Sequence, residues 1–439
     1  MDTKREIATE IVRRLRAEGF PAYLVGGCVR DLLMGRAPRD YDVTTAATPD
    51  QVLKIFPDAL TVGAQFGVVI VPHDAGNVEI ATFRSDGIYA DGRHPSEVRY
   101  ARTPQEDVQR RDFTINGLLY DPLSDQVLDY VGGQADIRAR RLRTIGDPID
   151  RLSEDRLRML RAVRFTVRLG FKLDPAALAA IRQLAPQIHA VSAERVRDEI
   201  AKILTEGPAR AGFELLDESG LLAEVLPEVK RLQGVEQPPE FHPEGDVWIH
   251  TLMMLEGLRQ PTLTLALGVL LHDVGKPATF TRRERIRFDQ HMEVGAKMAE
   301  EICVRLRIST RETERIVELV QHHLRFKDFP RMKRSTQLRF LRLEGFEEHL
   351  ELHRLDCLAS HGDLTNYALA RRMLEETPAE EIKPLPLLRG NDLIEQGYRP
   401  GPLFKTILQA VEEAQLEGRI HNRAEALRFV QEQFPVNRT

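Results

Sequence analysis

Ile7, Ile11, Val12 and Leu15 recur three and four residues apart between charged positions, which predicts an amphipathic helix at the start of the chain. From residue 21 to about 135 the period changes. Short β-branched runs, "AYLVGG", "FGVVIV", "NVEIATF" and "QVLDYVGG", predict strands, and "TPDQVLKIF" predicts one helix with Thr48 as cap and Pro49 in its first turn. Beyond Arg138 the apolar spacing of three and four takes over in "SEDRLRMLRAVRFTVRLGF", "SAERVRDEIAKILTEG" and "GFELLDESGLLAEVL". A Pro-rich break at 236–245 opens a His-containing helical block, and "TPAEEIKPLPLLRG" at 377–390 closes it. The pattern predicts an α/β or α+β head (1–137), then an all-helical neck (138–235), His block (236–376) and tail (377–439).

Totals narrow the classes. A chain of 439 residues suits two to four domains, and 42% hydrophobic with 29% charged residues is the composition of a soluble protein. The longest apolar run, "LTLALGVLL", is far shorter than the roughly 20 residues of a membrane span, so no membrane partner is expected. The N-terminus lacks the apolar centre of a signal peptide and reads as a mature cytosolic start, giving a cytoplasmic expectation. Three scattered cysteines suggest neither a disulfide framework nor a thiolate zinc site. The net charge of −5 excludes a uniformly basic nucleic-acid binder, but residues 138–172 carry eleven Arg or Lys against four acids, a density able to hold phosphates.

The chemistry begins at "YLVGGCVRDLLMGRAPRDYDVTT". Glycines 26 and 27 after a strand let backbone N–H groups approach a polyphosphate, and Arg30 adds charge a turn later. In a strand, Asp40 and Asp42 would point to one face and offer oxygen ligands to Mg²⁺ in two-metal phosphoryl transfer. Glu79, on another predicted strand, is a candidate third carboxylate.

These residues, with Val29-Arg30-Asp31, "RRDFTIN" at 110–116, Glu154-Asp155-x-x-Arg158 with Arg161, Arg164 and Phe165, and "SAERVRDEI" at 192–200, closely resemble the class II tRNA nucleotidyltransferase and poly(A) polymerase family. That family shares the catalytic core of DNA polymerase β, so the resemblance implies an α+β fold whose head is a polymerase-β-like nucleotidyltransferase domain with a small mixed sheet. It implies that Gly27, Arg30 and Arg111 contact the incoming nucleotide and that Asp40 and Asp42 are catalytic and carry magnesium. On a helix starting near Glu154, Asp155 and Arg158 lie roughly 60° apart, with Arg161 and Arg164 on the far arc. By resemblance, Asp155 and Arg158 imitate Watson–Crick partners of cytosine or adenine, and Arg161 and Arg164 hold triphosphate or sugar. The loop 82–100 corresponds to one that accompanies the change from cytidine to adenosine addition.

In the His block, His250, His272-Asp273 with Gly275-Lys276, and Asp356 resemble the HD phosphohydrolase superfamily. Imidazole and carboxylate ligands with open positions suit Mn²⁺, Ni²⁺ or Mg²⁺, and His291 and His322-His323 are candidates for a second ion or for substrate phosphate. The expected function is template-independent addition or repair of the tRNA 3′ CCA end from CTP and ATP, with HD phosphatase or 2′,3′-cyclic phosphodiesterase activity beside it. Two alternatives stand: adenosine-only addition, as an A-adder or poly(A) polymerase, and an HD hydrolase with an RNA-binding head. The sequence leaves monomer and homodimer open.

Overall fold

The computed structural model describes residues 3–61, 67–74, 76–86, 98–240, 242–243, 245–282 and 285–435. The chain forms two compact units, residues 1–230 with 305–307, and residues 231–304 with 308–439. Head and neck belong to the first unit, and HD region and tail to the second.

In the first unit, α1 (Thr3–Ala17) buries Ala8, Ile11, Val12 and Leu15, the face its periodicity predicts. There follow β1 (Ala22–Val25), α2 (Gly27–Leu33), β2 (Asp42–Thr45), α3 (Pro49–Ile55), β3 (Val68–Val71), β4 (Val78–Thr82), β5 (Arg84–Asp86), β6 (Val98–Tyr100), α4 (Pro104–Gln109), β7 (Leu118–Asp121) and β8 (Gln126–Asp129). Six strands build one sheet in the order β3-β4-β2-β1-β7-β8. It is mixed as expected, because β2 runs parallel to β4 while β1 is antiparallel to β2 and β7. Leu24, Val43, Ile80 and Leu118 pack against the apolar face of α1. Thr48 and Gln51 form the capping box that starts α3. β5 pairs with β6 at the base of the 82–100 loop, and residues 87–97 lie outside the described residues.

The neck helices are α5 (Gly133–Arg138), α6 (Pro148–Glu154), α7 (Leu157–Leu169), α8 (Pro175–Leu184), α9 (Ala193–Thr205) and α10 (Ala209–Glu218). The all-helical expectation needs two corrections. Arg141–Leu142 pairs in parallel with Lys172–Leu173, and in the second unit Phe280–Arg282 pairs antiparallel with Ile286–Phe288. The helix expected to run from Glu154 is also broken, since Asp155 adopts φ −140°, ψ 105° between α6 and α7. Its carboxylate accepts the N–H of Leu157, a local turn that competes with helix continuation. The angular argument that placed Asp155 on the same helix as Arg158 therefore fails.

In the second unit, the helices Val247–Gly257, Leu263–Leu271 and Phe346–Ala359 carry the expected HD residues or end beside them. Phe326, Phe329, Phe340 and Phe346 fill one core there, and the tail closes around Leu393, Ile407, Val411 and Val430.

α7 and α9 are joined by an ion pair that water barely reaches: Arg164 Nε donates to Glu199 Oε2 at 2.6 Å, with side-chain exposures of 6% and 4%. Removing one partner strands the other charge in a dry interior. Glu199→Ala is expected to destabilise the first unit by about 3–5 kcal/mol in chemical denaturation; a change within measurement error would contradict the pairing.

Candidate functional site

The turn from β1 into α2 is made by Gly26 at φ 77°, a conformation that favours glycine. Two guanidinium groups flank the glycines: a Cβ on Gly26 would meet Arg111 Nη1 at 3.7 Å, and one on Gly27 would meet Arg30 Nη2 at 3.6 Å. Each is fixed by a carboxylate. Arg111 Nη2 donates to Asp107 Oδ2 at 2.8 Å, and Arg30 Nη2 lies 2.8 Å from Asp31 Oδ1. Asp107 is fully enclosed; burial alone would raise its carboxyl, but Arg111 and Arg110 outweigh that and hold it at about 2. Arg30 Nη1 also donates to Asn116 Oδ1 at 2.8 Å.

β2 begins at Asp42 rather than Asp40, which corrects the expectation of two carboxylates within one strand. The reason is the partner strand: Asp42 pairs with Val25, the last residue of β1, so no ladder reaches Asp40. Asp40 is exposed and ion-paired to Lys4 at 3.0 Å, while Tyr41 between the two aspartates is buried. Glu79 is the parallel-register neighbour of Asp42, with Val78 and Ile80 on either side of it buried. The carboxyl of Asp42 is pushed up to about 6, by burial first and then by Glu79 and Asp40, against the pull of Arg111. Asp42 is a half-buried carboxylate crowded by the charges of Glu79 and Asp40 with too little positive charge to balance them, an oxygen donor that fits a hard cation such as Mg²⁺.

Four neck residues expected to bind nucleotide lie at or beyond the α6–α7 break. Asp155 receives a two-pronged ion pair from Arg195 of α9, with Nη1 to Oδ1 at 3.2 Å and Nη2 to Oδ2 at 2.7 Å. Arg158 is buried; it donates to Glu154 and to the carbonyls of Arg151 and Arg110. Arg161 donates through Nε and Nη2 to Asp112 Oδ2 at 2.9 and 2.6 Å. Burial works against ionisation of Asp112, yet Arg161 leads a set of partners that keeps it at about 2. Arg164 is engaged by Glu199. The guanidinium carbons of Arg30, Arg161 and Arg164 stand 5.5, 5.3 and 4.2 Å from the centre of the Phe165 ring, which gathers the three cations on one apolar support. Asn116 Nδ2 donates to Asp112 Oδ1 at 3.2 Å, so hydrogen bonds run from Arg30 on α2 to Arg161 on α7.

Sequence reasoning quoted the segments that hold Asp112, Arg195 and Glu199 without giving these residues roles, and it missed Asp107. One signal was available. Asp107 precedes Arg110 and Arg111 by three and four residues at the end of α4, a spacing that lets it reach both, and Arg195 and Glu199 are four apart on one face of α9.

In the second unit, His250, His272 and Asp273 offer ligand atoms within 4.8 Å of one another, as do Asp273, His291 and His323. Asp356 joins the first group, with Oδ1 3.1 Å from His250 Nε2. Burial resists ionisation of Asp273, but His272 and Lys276 outweigh it and hold the carboxyl well below the usual range. Lys276 Nζ lies 2.6 Å from Asp273 Oδ2 and donates to Gln237 at 2.6 Å. Asp273 Oδ1 is buried and accepts no hydrogen bond from the described residues. An orphaned carboxylate oxygen among converging imidazoles fits a divalent cation of the Mn²⁺ or Ni²⁺ type. His322 separates from His323 and packs instead beside Phe340 and His349, so only one of that pair joins the cluster.

Three family models match the chain in order: the poly A polymerase head domain over residues 22–143, the probable RNA- and SrmB-binding site of polymerase A over 170–232, and the HD domain over 246–356. A CCA-adding enzyme of Geobacillus kaustophilus is 43% identical over 218 residues, 50% of this chain and 54% of that relative, so this match spans about half of either protein. The CCA-adding enzyme of Bacillus cytotoxicus is 30% identical over 430 residues, 96% of each chain. Among solved structures, the Bacillus stearothermophilus CCA-adding enzyme in complex with CTP superposes with a TM-score of 0.66 at 28% identity, covering 98% of each chain. Agreement at that level from end to end, with head, RNA-binding and HD regions in the same order, places this chain in the CCA-adding enzyme family.

Proposed function

We propose that the chain builds or repairs the 3′-terminal CCA of tRNA by template-independent nucleotidyl transfer from CTP and ATP. Family membership supports the reaction, and Arg30 and Arg111 flanking the Gly26-Gly27 turn, with Arg111 acting on Asp42, is the observation that supports this site for it. In each addition the 3′-oxygen of the tRNA bonds to the α-phosphorus, the bond from that phosphorus to the α–β bridging oxygen breaks, pyrophosphate leaves and the hydroxyl proton is released. Arg30 and Arg111 bind the triphosphate, and backbone N–H groups at the glycine turn approach it. Asp40 and Asp42, with Glu79 alongside, hold Mg²⁺, which when bound offsets charge on the triphosphate and lowers the pKa of the attacking hydroxyl.

Asp155 accepts from the exocyclic amine of cytosine or adenine while Arg158 donates to ring acceptors. Arg195 orients Asp155 through its two-pronged contact; Arg158 must turn from Glu154 to meet a base. Uracil and guanine would leave the carboxylate unpaired, at about 1–3 kcal/mol. The 82–100 segment, which versions adding only cytidine shorten, argues against a CC-only product and leaves the adenosine-only alternatives to the assay.

The expected result with tRNA lacking CCA, or ending in C or CC, is extension to CCA with CTP, ATP and Mg²⁺. Asp42→Asn should abolish it. Addition of A alone, or unlimited A on unrelated RNA, would replace this reading with an A-adder or poly(A) polymerase. The Asp42 proton must leave before the cation binds, so at limiting Mg²⁺ transfer should fall as pH drops below about 6. In the ion-free protein the sign is opposite: the contribution of a raised carboxyl to stability is complete below its ordinary 3.8 and is lost as pH rises through about 6. Asp42→Asn should therefore raise the melting temperature of ion-free protein at pH 8 while removing activity.

A second activity is favoured by the orphaned Asp273 oxygen. We propose that His250, His272, Asp273 and Asp356 hold a divalent cation, Mn²⁺, Ni²⁺ or Mg²⁺, for hydrolysis of phosphomonoesters or 2′,3′-cyclic phosphates. A water oxygen bonds to phosphorus, an ester P–O bond breaks and the alcohol departs with a proton. His272→Ala and Asp273→Asn should each abolish hydrolysis of a 2′,3′-cyclic nucleotide and leave CCA addition intact. Hydrolysis at the unsubstituted level would refute the assignment.

A further inference from the structure

The strand pair that follows Lys276 sets two aromatic rings beside the His-rich cluster of the second unit. Phe280 and Phe288 are direct partners across its strands, with ring centres 5.9 Å apart and planes inclined by 55°. A cross-strand aromatic pair stabilises such a ribbon, but that role does not require either ring to face water. Phe280 nevertheless stays 38% exposed, and every residue of its strand is exposed. A single open phenylalanine is ordinary on a protein surface, so its significance depends on what lies next to it.

Phe288 is where the ribbon meets the cluster. Lys276 Nζ stands 5.2 Å from the centre of its ring and 2.6 Å from Asp273 Oδ2. The Phe288 carbonyl oxygen accepts from His291 Nδ1 at 2.8 Å, and the two ring centres are 6.4 Å apart. A continuous path thus runs from the buried Asp273 carboxylate, through the Lys276 ammonium, to Phe288 and on to the exposed Phe280. Along it the chemistry changes from groups suited to a phosphate ester to a flat apolar surface. Arg282, two residues along the strand from Phe280 and so on the same face, pairs with Glu236 at 2.8 Å and gives that surface a polar flank.

We propose that Phe280 and Phe288 form a nucleobase-stacking platform that selects nucleoside phosphates at the His-rich cluster over esters that carry no base. This rests on the phosphohydrolase reading of that cluster and adds the residues that recognise the alcohol half of the ester. A nucleoside 2′-phosphate or 2′,3′-cyclic phosphate carries a flat base one ribose away from its phosphorus, which matches an aromatic surface next to an ammonium group. Because the two rings are inclined, a base stacked on Phe280 meets Phe288 edge to face, and both arrangements are favourable. Every base has a π face, so the platform separates nucleotides from sugar phosphates without choosing among bases.

The full chain, supplied with Mn²⁺, is assayed on adenosine 2′,3′-cyclic phosphate and on 1-O-methylribose 2′,3′-cyclic phosphate, which lacks a base. The expected preference in kcat/KM for the nucleotide is about tenfold or more. Phe280→Trp should retain it, and Phe280→Leu, which keeps apolar bulk without a π face, should remove most of it. Equal hydrolysis of the two substrates, or a preference that Phe280→Leu leaves intact, overturns the platform while the hydrolase reading stands. Cross-linking supplies a readout independent of turnover. Irradiated with the full chain, 8-azidoadenosine 2′-phosphate should label the peptides that hold Phe280 or Phe288, and mass spectrometry separates that label from any in the head. If neither ester is hydrolysed, the hydrolase reading fails and the label decides: its presence on those peptides, lost in Phe280→Leu, keeps the platform, and its absence overturns it. Should Phe280→Leu fail to fold, the substrate preference and the label in the parent chain still decide.

Discussion

The arginines gathered at the proposed triphosphate site repel one another, and buried or half-buried carboxylates hold them in place. Asp107 holds Arg111, Asp31 holds Arg30, Asp112 holds Arg161 and Glu199 holds Arg164. Each carboxylate would be unstable alone where it sits, and so would each guanidinium, so the pairs form together or not at all. Because Asp107 also reaches β2 through Thr44 and Asp112 reaches α2 through Asn116, these pairs tie the helices carrying the arginines to the sheet carrying Asp42. Charge compensation is thus also the mechanical frame of the nucleotide site.

The metal positions follow the opposite logic. Around Asp42 and Asp273 negative or lone-pair donors outnumber the cations the chain supplies. Lys4 meets the exposed Asp40, and Lys276 meets one oxygen of Asp273, but Glu79 crowds Asp42 and the second Asp273 oxygen stays unbonded. The first unit therefore has arginines provided with carboxylates and carboxylates short of cations. Under the proposed function, Mg²⁺ arriving with a nucleoside triphosphate supplies the cation that Asp42 lacks. Asp155 and Arg158 are likewise occupied in the absence of a base, by Arg195 and Glu154. Under the proposed function, base recognition is an exchange of partners instead of the burial of a bare charge.

Much of this was legible in local pattern. The apolar face of α1, the strand runs, the α3 capping box and the His272-Asp273 step at the end of an apolar helix all express short-range periodicity or a contiguous motif. Asp40 was misplaced because a strand ends where its neighbour does, and Val25 is beyond the reach of local reading. The break at Asp155 was hidden because the apolar period runs on through α7, whereas a single side-chain-to-backbone bond decides the turn. The carboxylates were hardest to read. Asp112 is 49 residues from Arg161, and Glu199 is 35 from Arg164, so no window shows that they meet. Likewise His322 and His323 look equivalent in sequence, and only the packing of Phe340 and His349 separates them.

The claim that carboxylates make the arginines functional is tested most directly by a double-mutant cycle on Asp107 and Arg111, read as CTP affinity in Mg²⁺ by calorimetry on variants verified as folded. If Asp107 acts by holding Arg111, then Asp107→Asn and Arg111→Ala each weaken binding, and the double variant is hardly weaker than Arg111→Ala, a coupling of about 1–3 kcal/mol. Additive losses, or unchanged affinity in Asp107→Asn, would contradict the account.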